Sequence, residues 1–138
     1  MYIGIDFDGT CVTHEFPLMG SSIGAETVLK ELVQHGHKLI LFTMRSDVLE
    51  KNMTIPPGKY LTEAVDWFKR RAIPLFGVQT NPNQSDWTYS PKAYAHLYID
   101  DAALGCPLVC KGANRPYVDW REVRRILGTM GVLPEMYI

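Results

Sequence analysis

No stretch of this 138-residue chain stays apolar long enough to cross a bilayer, so a membrane role is not expected. Charge of either sign is not in excess. Lys and Arg number 14 against 15 Asp and Glu, a formal net charge of −1 that gives no field to gather nucleic acid or an anionic membrane. Nonspecific nucleic-acid binding is therefore excluded as an expectation. No basic leader opens the chain, which reaches Asp6 and Asp8 almost at once, and the segment reads as no signal peptide. Cysteine is scarce too. Cys11, Cys106 and Cys110 are odd in number and lack zinc spacings, which predicts reduced structural thiols and a cytoplasmic protein. Internal repeats and low-complexity tracts are missing, so solenoid and linker readings fall away. What remains is ordinary globular composition, 46% hydrophobic and 21% charged. A chain of this size buries roughly two-thirds of its unfolded surface, and residues 1–138 are expected to form one domain.

Inside that domain the apolar residues come in short runs. Tyr2, Ile3 and Ile5 read as a buried strand that ends in Asp6 and Asp8. Residues 11–24 read as a loop, with Ser22 as the cap of a helix running to about His35 and Gly36 as its stop. The unbroken run Leu39, Ile40, Leu41 and Phe42 predicts a second buried strand, ending at Thr43. A strand, a helix and a strand in so few residues make a parallel crossover, which brings Asp6 and Thr43 to the same sheet edge.

Further along, Pro56, Pro57 and Gly58 mark residues 46–60 as loop, and Leu61, Ala64, Val65, Phe68 and Ala72 fall on one face of a second helix. Phe76 to Val78 reads as a short third strand and Thr80 to Ser90 as loop. Residues 91–96, which carry Lys92, read as a short helix or turn. Leu97, Tyr98 and Ile99 form a fourth strand ending in Asp100 and Asp101, and Leu108 to Cys110 a fifth at an edge. Asp119 caps a last helix with Glu122 three residues on. The apolar tail 132–138 is expected to pack on the core or on another subunit. The alternation predicts an α/β fold, a three-layer α/β/α sandwich around a central parallel sheet.

Parallel sheets carry their chemistry where strands end. Three strands here end in polar groups: Asp6 and Asp8, Thr43, and Asp100 with Asp101. Close carboxylates repel unless a cation or a shared proton intervenes. Hard oxygen donors in this number suit Mg²⁺, which is usually completed by water and a substrate phosphate. Thr43 and Lys92 would supply donors to phosphate oxygens.

In this ordered set the chain resembles the haloacid dehalogenase superfamily. Asp6, Phe7, Asp8, Gly9 and Thr10 match that family's first motif, Thr43 the second, Lys92 the third, and Asp100 with Asp101 one form of the fourth. The resemblance covers residues 2–101. It implies a Rossmann-like domain and a magnesium-dependent phosphatase acting on a phosphomonoester. Asp6 would be the nucleophile that forms an aspartyl-phosphate, and Asp8 the general acid and base. Thr43 and Lys92 would contact the phosphoryl group, with Phe7, Met44 and Arg45 beside the substrate. Arg45 read from the residues alone is equally a surface ion pair. The metal would be held by Asp6, Asp8 through its backbone carbonyl, and Asp100 or Asp101; which of the last pair ligates directly stays open, with Asp100 favoured and Asp101 bridging through water or orienting Lys92. No segment is long enough for a cap domain, so the chain resembles the capless subgroup, whose open site admits a phosphorylated small molecule or accessible macromolecule, or is covered by a neighbouring copy in a homo-oligomer. A phosphotransferase or phosphomutase at the same site is the nearest alternative, and a receiver-like phospho-acceptor domain a further one. His14 and Cys11 read as ordinary loop residues, and Trp87 and Tyr89 as packing aromatics.

Overall fold

A computed structural model describes residues 1–51 and 53–136. Its central sheet has four parallel strands in the order β5-β2-β1-β6. These are β1 (Tyr2–Ile5), β2 (Lys38–Leu41), β5 (Gly77–Val78) and β6 (Leu97–Ile99). The expected α/β fold is present. β1 lies at the centre, with Ile3 opposite Leu39 on one side and Leu97 on the other.

The period of two along a strand sorts the residues of β1 between two unlike faces. Ile3 and Ile5 point, with Leu39 and Leu41, into a core shared with all three helices. These are α1 (Ala25–Gln34), α2 (Tyr60–Arg70) and α3 (Trp120–Thr129). Burying each such aliphatic side chain is worth about 2 kcal/mol. On the other face Gly4 lets the Tyr98 ring lie flat against the strand, where any Cβ would strike it. That face is covered by the β5–β6 connection, residues 79–96. Asn83 Nδ2 donates to the Tyr2 hydroxyl at 2.8 Å, the Tyr98 hydroxyl donates to Ala93 O at 2.6 Å, and Tyr94 and His96 pack on the Tyr2 ring. The third layer is thus irregular chain whose only helical piece is the 3₁₀ turn Gln84–Asp86. Residues 91–96 form bends and no helix. Trp87 meets Tyr94 edge-on but leaves more than half its surface in solvent, and Tyr89 is exposed.

Several boundaries differ from the sequence reading for local reasons. Ser22 pairs with Val12 in an isolated antiparallel bridge, so it is extended and does not cap α1; its hydroxyl donates instead to Glu26 Oε1 at 2.8 Å. Gly24, at φ 90°, starts the helix without a side-chain cap. Residues 46–60 include a two-stranded ribbon, β3 (Asp47–Val48) against β4 (Gly58–Lys59), while Asn52 lies outside the described residues. Asp47 then supplies the missing cap of α2, accepting from Thr62 N at 3.0 Å and Thr62 Oγ1 at 2.7 Å. Leu108 and Val109 do form a strand, β7, but it pairs with β8 (Tyr117–Val118) in a separate ribbon and not at the edge of the main sheet. Asp119 caps α3 as expected, accepting from Glu122 N at 3.3 Å. Val132 and Leu133 of the tail are buried in the chain's own core, while residues 137 and 138 lie outside the described residues. Among the described residues no helix is long and apolar enough to cross a membrane.

Candidate active site

The site grows from the turn after β1. Gly9 sits at φ 81°, a region that L side chains avoid. A Cβ there would collide with the His14 ring and with Asp101 Oδ2. Only glycine lets His14 fold back over the turn. Phe7 O accepts from Thr10 N and Cys11 N at 3.0 and 2.7 Å, closing the turn. Two distant elements brace it: Val118 N donates to Gly9 O at 2.9 Å, and the indole of Trp120, first residue of α3, donates to Thr10 O at 2.6 Å.

At the carboxyl ends of β1 and β6, one oxygen each of Asp6, Asp100 and Asp101 gathers within 4.8 Å of the others. Thr10 ties the group together. Its hydroxyl donates to Asp6 Oδ2 at 2.9 Å, with Asp101 Oδ1 at 3.3 Å, and accepts from Asp101 N at 3.1 Å. His14 Nε2 lies 2.7 Å from Asp101 Oδ2. Asp100 Oδ1 accepts from Ala102 N at 2.8 Å. Burial, then the Asp101 carboxyl, then the charge on Asp100 push the Asp6 carboxyl up to about 8. The three acids are therefore short of positive charge. Their donor set, hard oxygens on a preformed turn, fits Mg²⁺.

Asp8 has a different environment. Both its oxygens accept from Arg45, Oδ2 from Nε and Oδ1 from Nη2, each at 2.8 Å. Arg45 is 2% exposed and is also held by the carbonyls of Leu18 and Tyr60. Its guanidinium lies between the rings of Phe7 and Phe16, 5.1 and 5.2 Å from their centroids. Arg45 is thus an ion pair, as one of the two sequence readings had it, but a buried one. Its donors are committed inside the protein, which corrects its assignment as a substrate contact. With Asp8's side chain paired to Arg45, its backbone carbonyl stays the group expected to face a metal.

These groups line one open void of about 460 Å³ together with Thr43, Met44, Phe16, Ile55 and Arg115. Thr43 Oγ1 accepts from Arg45 N at 3.1 Å, which leaves the hydroxyl hydrogen free to donate into the void. Gln79 fixes the Thr43 backbone from both sides, accepting from its N at 2.9 Å and donating to its O at 2.6 Å. Met44 is almost wholly exposed at the rim.

Two expected site residues lie elsewhere. Phe7 is fully buried and packs edge-on against Trp67, so its side chain belongs to the core and not to a substrate contact. Lys92 is exposed, 5.5 Å from the Tyr98 ring centroid, and is not among the lining residues of the void. It rides on the irregular connection across the far face of the sheet, and among the described residues no ion pair or hydrogen bond joins its side chain to Asp6 or Asp101. Asp101 orients Thr10 and His14 instead. The sequence reading passed over Thr10, His14 and Arg115 as site groups. The signal for His14 was Gly9, a position that something had to approach closely. Cys11 is buried, its thiol donating to Asp6 O at 3.3 Å and pushed up by burial, and no disulfide joins the cysteines.

No protein-family model matches the chain, and no curated protein matches it. It is similar to a solved structure, that of a conserved protein from Bacteroides thetaiotaomicron. The two are 29% identical over 94% of this chain and 91% of that one, with a TM-score of 0.70.

Proposed function

We propose that the chain is a magnesium-dependent phosphatase that hydrolyses a phosphomonoester through an aspartyl-phosphate on Asp6. The observation that carries the reading is the gathering of Asp6, Asp100 and Asp101 within 4.8 Å where β1 and β6 end. Among the described residues no lysine or arginine pairs with Asp6, so a divalent cation would relieve the repulsion among the three acids. The resemblance of residues 2–101 to the haloacid dehalogenase superfamily supplies the chemistry.

Asp6, Asp100 and Asp101 would hold Mg²⁺, with the Asp8 carbonyl. When bound, the ion supplies the positive charge that keeps Asp6 ionised and screens its oxygens from an anionic substrate. An Asp6 oxygen attacks phosphorus, and the bond from phosphorus to the leaving oxygen breaks. Asp8, protonated from solvent for this step, gives that proton to the leaving oxygen and returns to the carboxylate that Arg45 pairs. Water then attacks phosphorus, its proton passes to Asp8, the bond to Asp6 breaks, and inorganic phosphate leaves. Thr43 donates its free hydroxyl hydrogen to a phosphoryl oxygen. Arg45 takes one lone pair from each Asp8 oxygen and so fixes which remaining lone pairs face the void. It is a positioning residue. Lys92 has no part in this scheme.

The test is a phosphomonoester screen with Mg²⁺, wild type beside Asp6→Asn, with acid-quenched samples assayed for a hydroxylamine-sensitive phosphoprotein. Turnover that needs Asp6 and Mg²⁺ supports the reading. Turnover that survives Asp6→Asn removes the nucleophile assignment. Phosphorylation by a small acyl phosphate without ester turnover favours the phospho-acceptor alternative.

A further inference from the structure

Three basic side chains line the void, and two of them are already engaged. Arg45 is spent on Asp8, and His14 lies against Asp101. Arg115, exposed on the 110–116 loop before β8, has neither a carboxylate partner nor a hydrogen bond among the described residues. Arg115 shares that lining with four carboxylates yet pairs with none of them, and Phe16, Met44 and Ile55 complete it with apolar side chains. The lining of the void therefore combines three kinds of group: carboxylates, apolar side chains and an uncommitted guanidinium.

We propose that Arg115 is a specificity-determining residue, and that the leaving group of the substrate is a largely apolar or aromatic body bearing a second anion that Arg115 pairs. This rests on the phosphatase reading for where the phosphate sits, at the carboxylates, and adds the chemical class of the rest of the molecule. An ester substituent of a phosphate anchored at Asp6 and Thr43 would share the void with Phe16, Met44, Ile55 and Arg115. A guanidinium is weakly hydrated and planar, suited to a carboxylate or a second phosphate. At this exposed position it adds selectivity more than gross affinity. Minimal phosphomonoesters would then be poor ligands, and neutral aromatic ones intermediate.

The experiment measures binding with inert probes, so that it does not depend on turnover. Methylphosphonate, benzylphosphonate and the three isomeric carboxybenzylphosphonates are titrated calorimetrically into the protein with excess Mg²⁺. The expected order is methyl weakest and the best carboxybenzyl isomer tightest, by up to about fivefold over benzyl, the scale of an ion pair at a protein surface. Arg115→Ala, at an exposed position that leaves the fold intact by its melting curve, removes the carboxylate preference and keeps the benzyl-over-methyl preference. Arg115→Lys retains part of the former. Met44→Ala reduces the benzyl preference alone. A wild type indifferent to the carboxylate, or an Arg115→Ala protein that keeps the preference, overturns the proposal. If the corresponding phosphate esters are still hydrolysed, the phosphatase reading survives that result. If no phosphonate binds, the proposal fails, and turnover of the esters alone decides the phosphatase reading. If the carboxybenzyl probe binds through Arg115 and no ester is turned over, only the phosphatase reading fails.

Discussion

The two sides of the candidate site balance charge in opposite ways. On the β6 side Asp6, Asp100 and Asp101 crowd together, and the Asp6 carboxyl is pushed up to about 8 by burial and by its acidic neighbours. On the β2 side Asp8, two residues from Asp6, is held by a bidentate arginine that is itself 2% exposed. On the first side, among the described residues, no lysine or arginine pairs with the acids and only His14 stands against Asp101; the other side is paired within the chain. Adjacent carboxylates of one motif are thus given separate work by what the fold brings to each, and not by their own chemistry. Substitutions that erase the difference should have the largest effects.

Asp6→Asn has the greatest. Amide nitrogen and oxygen cannot form the acyl phosphate, so turnover should fall by at least about 10³-fold in steady-state assays while the melting temperature holds or rises. A loss below tenfold would mean that the acidic side is not the reacting side. Arg45→Ala comes next. It strands the Asp8 carboxylate and empties a space between two aromatic rings, and denaturant unfolding should show a loss of about 3 kcal/mol, as for other broken buried pairs. Asp8→Asn should then cost less in the Arg45→Ala background than in the wild type. If the two losses simply add, the pair is not a unit.

The difference between the sides was only half legible in the sequence. The strands ending at Asp6, Thr43 and Asp100 could be read because apolar runs that stop in polar residues have one economical arrangement, a parallel sheet with those ends aligned. Arg45 could not be placed. Its burial depends on the Leu18 carbonyl and the Phe16 ring in the 11–24 loop and on the Tyr60 carbonyl at the start of α2, two segments that meet only in the fold. His14 was hidden for the same reason, since a nearby loop residue and a distant aspartate meet only after the Gly9 turn closes. The helix-capping error at Ser22 is of another kind: a tertiary bridge to Val12 outcompeted a local preference. Of the two readings of residues 91–96, helix or turn, the helix is absent, because Tyr94 and His96 cover the sheet from irregular backbone that has no helical or strand period to detect.

Titration separates the two sides more gently. With the folded Asp6 carboxyl at about 8 against an ordinary 3.8, the metal-free folded protein holds a proton that the unfolded chain has released. The associated stability is complete below the ordinary carboxylate range and is lost as pH rises toward 8, by at most about 1.4 kcal/mol per pH unit. Melting temperature in a chelator should therefore decline from pH 5 to pH 8, and Mg²⁺ should reverse the decline most strongly at the alkaline end. Asp6→Asn should flatten the chelator curve. A wild-type curve already flat, and unmoved by Mg²⁺, would leave the acidic side without its need for a cation.

The smallest expected effect concerns the face of the sheet away from the helices. Lys92 fits a motif by order along the chain, yet the structure sets it over the Tyr98 ring in solvent. Lys92→Ala removes one exposed cation–π contact, worth about 0.5–1 kcal/mol at such sites, and should shift kcat/KM less than about threefold. A lysine that neutralised Asp6 would instead be worth 10² or more in rate, because charge stabilisation in a water-poor site is far stronger than at a surface. The two outcomes are far enough apart for one kinetic comparison to decide. A large loss would mean that the 79–96 connection reaches over the end of the sheet during turnover, giving the acidic side a cation from the chain itself. A small one leaves that side dependent on the metal alone, and sets its requirement for Mg²⁺ as the property that distinguishes it from the Asp8–Arg45 side.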